Sequence, residues 1–106
     1  MLFFILEVLW RKLIVNDRKS DRNEISQFLD EEGRLTALPG KKTKRLVALN
    51  YLASKFDPSK TYNEVEVNEL LKEWHTFGDW ALLRRELYIA RFINRNTSGS
   101  EYTLSK

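Results

Sequence analysis

Two helical patterns separated by a short turn constrain the fold of this 106-residue chain more than any other feature of its sequence. The first pattern has the i, i+3, i+4, i+7 spacing of an amphipathic helix. Its apolar positions are Val67, Leu70, Leu71 and Trp74. Asn63 and Glu66 predict a capping box at the start of this helix, and Gly78 can supply a left-handed residue beyond its end. Asp79 then predicts the N-cap of a second helix, WALLRRELYIA, so the sequence indicates a helix–turn–helix pair.

Further patterns lie on either side of this pair. A longer helical pattern precedes it, and its apolar residues fall on one side of the predicted helix. They are Leu46, Leu49, Leu52, Ala53 and Phe56. An extended piece is predicted at Thr61 and Tyr62, between this helix and the pair. After the pair, RFINR and EYTLSK have the composition of two strands joined by the turn NTSGS.

The order of these elements predicts the fold class. Helix, extended piece, helix, tight turn, helix and hairpin is the order of a winged helix-turn-helix. We therefore predict an α+β, mostly α fold that is winged helix-turn-helix-like, with a three-helix core, a C-terminal two-stranded wing and extra N-terminal helices. The winged-helix-like domain is predicted at residues 33–106, after a linker and a short helix at residues 16–32, the helix itself at residues 24–30.

The first 15 residues, MLFFILEVLWRKLIV, form a separate apolar segment. Charged residues interrupt it before it reaches the about 20 apolar residues of a membrane-spanning helix. Its positive charges follow the apolar run, whereas those of a secretory signal precede it. We predict a helix that is apolar on more than one face, in a cytoplasmic protein with no membrane span. Such a helix can pack between the domain and a second subunit as a homodimer contact, wholly against its own domain, or on a membrane surface.

Composition narrows the chemistry that the chain can perform. It has no cysteine, which excludes disulfides, thiolate zinc sites and thiol nucleophiles. Its one histidine, His75, has no metal-ligand cluster around it in the sequence and is predicted to lie partly exposed at a helix end. The carboxylates of Glu64, Glu66 and Glu69 lack an accompanying nucleophile or metal set. We therefore predict no catalytic residue, no metal site, no cofactor and no enzymatic activity.

A cluster of four cations lies where the first core helix begins. These residues are Lys41, Lys42, Lys44 and Arg45. Cations are unfavourable at a helix N-terminus, which already carries a partial positive charge. Free amides and lysines together can hold a phosphate of a nucleic-acid backbone, and the net charge of +3 permits such binding, so we predict nucleic-acid contacts here. The alternative is a solvated face whose long side chains cover apolar neighbours.

One face of the last predicted helix has the residue types of a DNA-recognition element. It comprises Ala81, Arg84, Arg85 and Tyr88, opposite an apolar face. Arginine can reach guanine edges or phosphates from such a helix. We predict that these four residues, with Arg95 on the wing, bind nucleic acid. The alternative is that at least one of the two helix arginines is paired with a glutamate of the preceding helix or with Glu86.

Several uncommon sequence pieces also occur in order at ordinary spacing. They are GRLTALPGKKTKRLVALNYLASKF, YNEVEVNELLKEWH, LLRRELYIARFINR and GSEYTLS. Over residues 33–102 the chain resembles the bacterial domain-of-unknown-function family 2087. The resemblance implies a winged-helix-like module associated with transcription regulators. Residues 1–15 lie outside it, and the glycine that the family usually has near the end of the third helix is replaced around Arg91.

These observations predict a DNA-binding winged-helix module of a transcription regulator, which contacts double-stranded DNA through the third helix (79–90) and the wing (92–104). The alternative is a protein-interaction or dimerisation module with the same fold and no nucleic-acid binding.

Overall fold

Three helices and a two-stranded sheet form in the order that the sequence patterns predict. The computed structural model describes residues 24–105. Its elements are a 3₁₀ helix at Ser26–Phe28, α1 at Lys42–Ala53, α2 at Glu64–Glu73, α3 at Trp80–Ile89, β1 at Ile93–Arg95 and β2 at Tyr102–Leu104. The fold is α+β and mostly α. The helix predicted at residues 1–15, and the linker predicted to follow it up to residue 23, lie outside the described residues.

Side chains cap α2 and α3 at the residues that the sequence predicts. Asn63 Oδ1 accepts the N–H of Glu66 at 2.8 Å, and the Glu66 carboxylate accepts the N–H of Asn63 at 3.0 Å, which completes the capping box. Asp79 Oδ1 accepts the N–H of Leu82 at 3.2 Å. Gly78 has a φ of 67°, a left-handed conformation that glycine adopts without steric cost. The left-handed Gly78 and the Asp79 cap explain why the turn between α2 and α3 is short.

The wing is an antiparallel pair of strands that a third extended segment joins. Ile93 of β1 lies opposite Leu104 of β2, and Arg95 lies opposite Tyr102. Tyr62, in the extended piece before α2, exchanges both backbone hydrogen bonds with Tyr102 at N···O distances of 2.8 and 2.7 Å. This order and pairing are compatible with the predicted winged-helix-like arrangement.

One cluster of buried apolar side chains holds the helices and the wing together. Its larger, fully buried members are Ile25, Leu35, Leu49, Leu52, Val67, Leu71, Leu83, Leu87 and Ile93. Burying a leucine fully contributes about 1.5–3 kcal/mol, so this cluster is the main source of stability. Leu83 and Leu87 anchor the inner face of α3. Because an α-helix has 3.6 residues per turn, this anchoring directs the opposite face of α3 away from the core.

Two local predictions were wrong. Leu46, which we expected on the buried side of α1, is 39% exposed, and Ala48 is buried instead. The buried face of α1 is centred further round the helix, which leaves Leu46 at its edge. The helix predicted at residues 24–30 ends in the 3₁₀ turn at Ser26–Phe28, because Leu29 adopts an extended conformation and forms a bridge with Leu35.

The connection between α3 and β1 is a Schellman motif. The N–H of Arg91 donates to the carbonyl of Tyr88 at 3.0 Å, and the N–H of Phe92 donates to the carbonyl of Leu87 at 2.9 Å. Arg91 has a φ of 64°, the left-handed conformation that this motif requires and that favours glycine. The departure that the family resemblance indicated at Arg91 therefore leaves the turn in place but puts an arginine in a strained conformation.

Candidate nucleic-acid interface

The outer face of α3 and the adjoining wing form a concave surface, which we call the α3–wing surface. Its concavity encloses about 690 Å³. Five predicted contact residues line it, namely Ala81, Arg84, Arg85, Tyr88 and Arg95. The remaining lining residues are Asp79, Leu82, Ile89 and Tyr102. The structure therefore brings the predicted residues of the helix and the wing to one side of the molecule.

Arg84 is engaged in structural contacts with α2. Its Nη2 lies 3.0 Å from Glu64 Oε1, and its Nη1 donates to Asn68 Oδ1. The side chain is half-buried, with 22% of its surface exposed. The pairing alternative thus holds for Arg84, which fixes α3 against α2 and has its charge compensated by Glu64.

Arg85 has a different environment. Its side chain is exposed on the outer face of α3. Within residues 24–105 no carboxylate forms an ion pair with it. Arg85 therefore carries a solvated charge that a ligand can reach.

Arg95 and Tyr88 connect the wing to α3. The guanidinium carbon of Arg95 lies 4.9 Å from the centroid of the Tyr88 ring. A cation–π contact at an exposed site contributes about 0.5–1 kcal/mol. Stacking leaves the guanidinium N–H groups available, so Arg95 is positioned on the surface without losing its capacity to bind an anion.

The N-terminal end of α3 is positioned by His75, whose predicted partial exposure was wrong. The His75 side chain is buried, at 4% exposure. Its Nε2 accepts the N–H of Asp79 at 3.0 Å, so its Nδ1 carries the proton and donates to the carbonyl of Leu71. This one side chain bridges the last turn of α2 and the cap of α3. Sequence reasoning could not predict its burial, because that burial depends on how α2 and α3 pack.

The cation cluster at the start of α1 does not line the α3–wing surface. Lys41 occupies the N-cap position, its side chain forms no capping hydrogen bond, and no acidic residue lies in the first turn of α1. Lys41 and Lys42 are exposed, whereas Lys44 and Arg45 are half-buried. Any phosphate contact made by this cluster would therefore be separate from contacts made by α3.

The carboxylates of α2 that we considered for acid–base chemistry have structural partners. Accepting the Asn63 backbone N–H and pairing with Lys60 at 3.1 Å lower the pKa of Glu66. The hydrogen bond that Lys60 donates to the Glu66 carboxylate, together with the negative charge of Glu66, raises the pKa of Lys60. Glu69 pairs with Lys72 at 3.3 Å. These contacts account for the carboxylates as parts of the helix surface.

Sequence reasoning missed two residues of this region. Ile89 lines the α3–wing surface and is 63% exposed, although the helical pattern gave no reason to place a large apolar side chain there. Asn68 holds Arg84, and its position one turn after Glu64 was the signal that could have indicated a shared partner.

Comparison with known proteins identifies the family. Residues 34–104 match the model of a family described as an uncharacterised protein conserved in bacteria, domain-of-unknown-function family 2087. The chain belongs to this family. The match includes α1, α2, α3 and the wing, and so covers the whole α3–wing surface. No curated protein and no solved structure matched the chain.

No helix within residues 24–105 combines the length and the hydropathy needed to cross a bilayer.

Proposed function

We propose that this domain binds double-stranded DNA through the α3–wing surface, as a cytoplasmic module of a transcription regulator with a binding role and no catalytic one. The observation that best supports this function is the pair formed by Arg85 on α3 and Arg95 on β1. Both are exposed, both line one concave surface, and neither has an ion pair within the described residues. Duplex DNA presents one negative charge per about 1.7 Å of its axis and complements such a surface.

The dimensions of α3 suit the major groove. Its 10 residues correspond to a rod about 15 Å long. The major groove is about 12 Å wide and admits one helix. With α3 in the groove, Arg85 faces base edges and Arg95 faces the neighbouring phosphates. The cations at the start of α1, Lys41, Lys42, Lys44 and Arg45, supply further phosphate contacts at a second place on the duplex.

A salt-titrated DNA-binding assay with the full chain tests this function. Replacing Arg85 or Arg95 by glutamine should weaken binding about tenfold, and for a lost phosphate contact the slope of log K against log salt should fall by about 1. Lys72→Gln is the matched control, because Lys72 is an exposed cation of α2 that does not line the α3–wing surface. Binding that is equally strong in all variants, or absent in the native chain at low salt, would exclude the proposal.

Asp79 offers an independent test of the same surface. Among the described residues that line the surface it is the one carboxylate, and its charge opposes a phosphate backbone. Asparagine caps helices about as well as aspartate, so Asp79→Asn removes the charge and keeps the cap. We expect the variant to bind DNA several-fold more tightly at low salt, since one repulsive charge is lost. An unchanged affinity would place the duplex away from the start of α3.

A protein-binding module is the second candidate, and exposed apolar side chains favour it. Val65 on α2 is 66% exposed and Ile89 on α3 is 63% exposed. A homodimer through residues 1–15 belongs to this candidate. Sedimentation of the full chain over a range of concentrations tests it. A concentration-dependent dimer that does not bind DNA would favour this function over the first.

A further inference from the structure

Two exposed residues of the α3–wing surface lie outside the buried core of residues 24–105. Arg85 is exposed without an ion pair in the described part of the chain, and Ile89, four residues later, is 63% exposed. Residues i and i+4 are neighbours on a helix face. We propose that these two side chains determine DNA sequence specificity, with Arg85 binding a guanine and Ile89 contacting the methyl group of a thymine. This inference rests on the proposed DNA-binding function.

Arg85 is the arginine best suited to a base contact. Arg84 is held by Glu64 and Asn68, so its guanidinium is oriented toward α2. Arg95 is stacked on Tyr88 at the side of the helix, which suits a phosphate contact. Arg85 lies in the middle of α3, and its five donors have no ion-pair partner among residues 24–105. Guanine presents O6 and N7 side by side in the major groove, and an arginine fork binds both.

Ile89 has a different complement in the groove. Its side chain has no hydrogen-bonding group, and the apolar feature of the major groove is the C5 methyl group of thymine. An exposed isoleucine that contacts this methyl group becomes buried from water, which favours thymine over cytosine. Binding to phosphates alone would not require an apolar side chain at position 89.

The spacing of the two residues indicates the spacing of the two bases. Four residues of helix rise about 6 Å. Successive bases of a strand rise about 3.4 Å. Where α3 follows the groove, the guanine and the thymine are therefore about two base steps apart. Ala81, one turn before Arg85, is small and lets the start of the helix approach the bases.

The test uses the full chain and a duplex selected from a randomised pool by the native protein. In that duplex, replacing the thymine by deoxyuridine removes the methyl group, and replacing the guanine by 7-deazaguanine removes N7. We expect the native chain to lose about three- to tenfold in affinity with deoxyuridine and about tenfold with 7-deazaguanine. Ile89→Ala should lose its sensitivity to deoxyuridine, and Arg85→Gln should lose its sensitivity to 7-deazaguanine. Val65→Ala and Lys72→Gln are the matched controls outside this surface and should keep both sensitivities.

Each outcome decides the matter. Crossed sensitivities as described support the assignment of both residues. A native chain that binds all duplexes with equal affinity overturns the assignment and leaves the proposed DNA-binding function intact. Sensitivities that persist in Ile89→Ala and Arg85→Gln overturn it as well. A native chain that binds no duplex overturns the proposed function and this inference together.

Discussion

The two ends of α3 are fixed in different ways. At the N-terminal end, side chains supply the bonds, because Asp79 caps the N–H of Leu82 and the buried His75 accepts the N–H of Asp79. At the C-terminal end, backbone bonds from Arg91 and Phe92 close the helix, and Arg91 adopts a left-handed conformation. At the N-terminal end each of these backbone N–H groups has a side-chain acceptor. At the C-terminal end Arg91 adopts a backbone conformation that arginine disfavours.

The end of α3 that is held by suited side chains lies toward α2, and the end with the unfavourable backbone conformation lies beside the candidate site. A non-glycine residue in the left-handed region costs about 1–2 kcal/mol. In α3 this conformational cost arises at Arg91, next to Ile89 and the wing. The turn toward α2 has no such cost, because its residue with a positive φ is Gly78. The comparison therefore predicts that variants at the N-terminal end destabilise the fold and that a suitable variant at the C-terminal end stabilises it.

The largest effect is expected at His75. His75→Ala removes a buried ring and leaves the Asp79 N–H without its acceptor, while the Leu71 carbonyl keeps only the N–H of Trp74, so we expect a loss of about 3 kcal/mol in the free energy of unfolding. Urea unfolding followed by circular dichroism measures it. His75→Gln keeps an acceptor and should recover part of the loss. A change below that of an exposed neighbour variant, Thr76→Ala, would show that the N-terminal end of α3 does not depend on this side chain.

A smaller loss is expected at Asp79. Asp79→Ala removes the cap of α3 and should lower the free energy of unfolding by about 1 kcal/mol. Asp79→Asn retains a capping oxygen and serves as the control, with little change expected in the same unfolding experiment. Equal losses in both variants would mean that the carboxylate charge, and not the capping hydrogen bond, stabilises this end.

A gain of similar or smaller size is expected at Arg91. Arg91→Gly should raise the free energy of unfolding by about 0.5–1 kcal/mol, because glycine adopts a positive φ without strain. Arg91→Ala separates this effect from the loss of the side chain, since alanine retains the strain and should give no gain. A destabilised glycine variant would contradict the view that the C-terminal end of α3 is strained.

The smallest effect is expected at the start of α2, which has a capping box where α3 has a single capping side chain. The pKa of Glu66 is lowered in the folded protein by the Asn63 N–H and by Lys60. A lowered pKa means that the stabilisation is complete above the ordinary carboxyl pKa of 4.5 and is lost as the pH falls through the folded value. Thermal unfolding of the native chain should therefore show a slightly steeper decline below about pH 4.5 than that of Glu66→Gln, which keeps the cap but does not ionise. Parallel curves would contradict this contribution.

The parts of the fold that follow from local chemistry were predictable. Asn63, Glu66, Gly78 and Asp79 act within a few residues of their own positions, so their patterns predicted the caps and the turn correctly. The apolar face of α3 followed from helical periodicity, and Leu83 and Leu87 are buried as expected. The same periodicity placed Arg85 and Tyr88 on the exposed face.

The parts that depend on contacts between distant residues were not predictable. The burial of His75 and the choice of Arg84 over Arg85 as the partner of α2 arise from how α2 and α3 pack, and no spacing rule encodes that geometry. The stacking of Arg95 on Tyr88 depends on where the wing folds back. Sequence alone could therefore suggest which face of α3 is exposed, but not which of its arginines pairs with α2.

The backbone exchange between Tyr62 and Tyr102 has a consequence for how the wing opens. Peeling β2 away from the molecule breaks the two bonds with a segment 40 positions earlier in the chain, and it uncovers two tyrosine rings that are now buried. These two hydrogen bonds thus attach the hairpin to the segment before α2, and β2 cannot fray without breaking them. In deuterium exchange, the amides of Tyr62 and Tyr102 should become labelled together, at the rate of global unfolding and well after those of the hairpin tip.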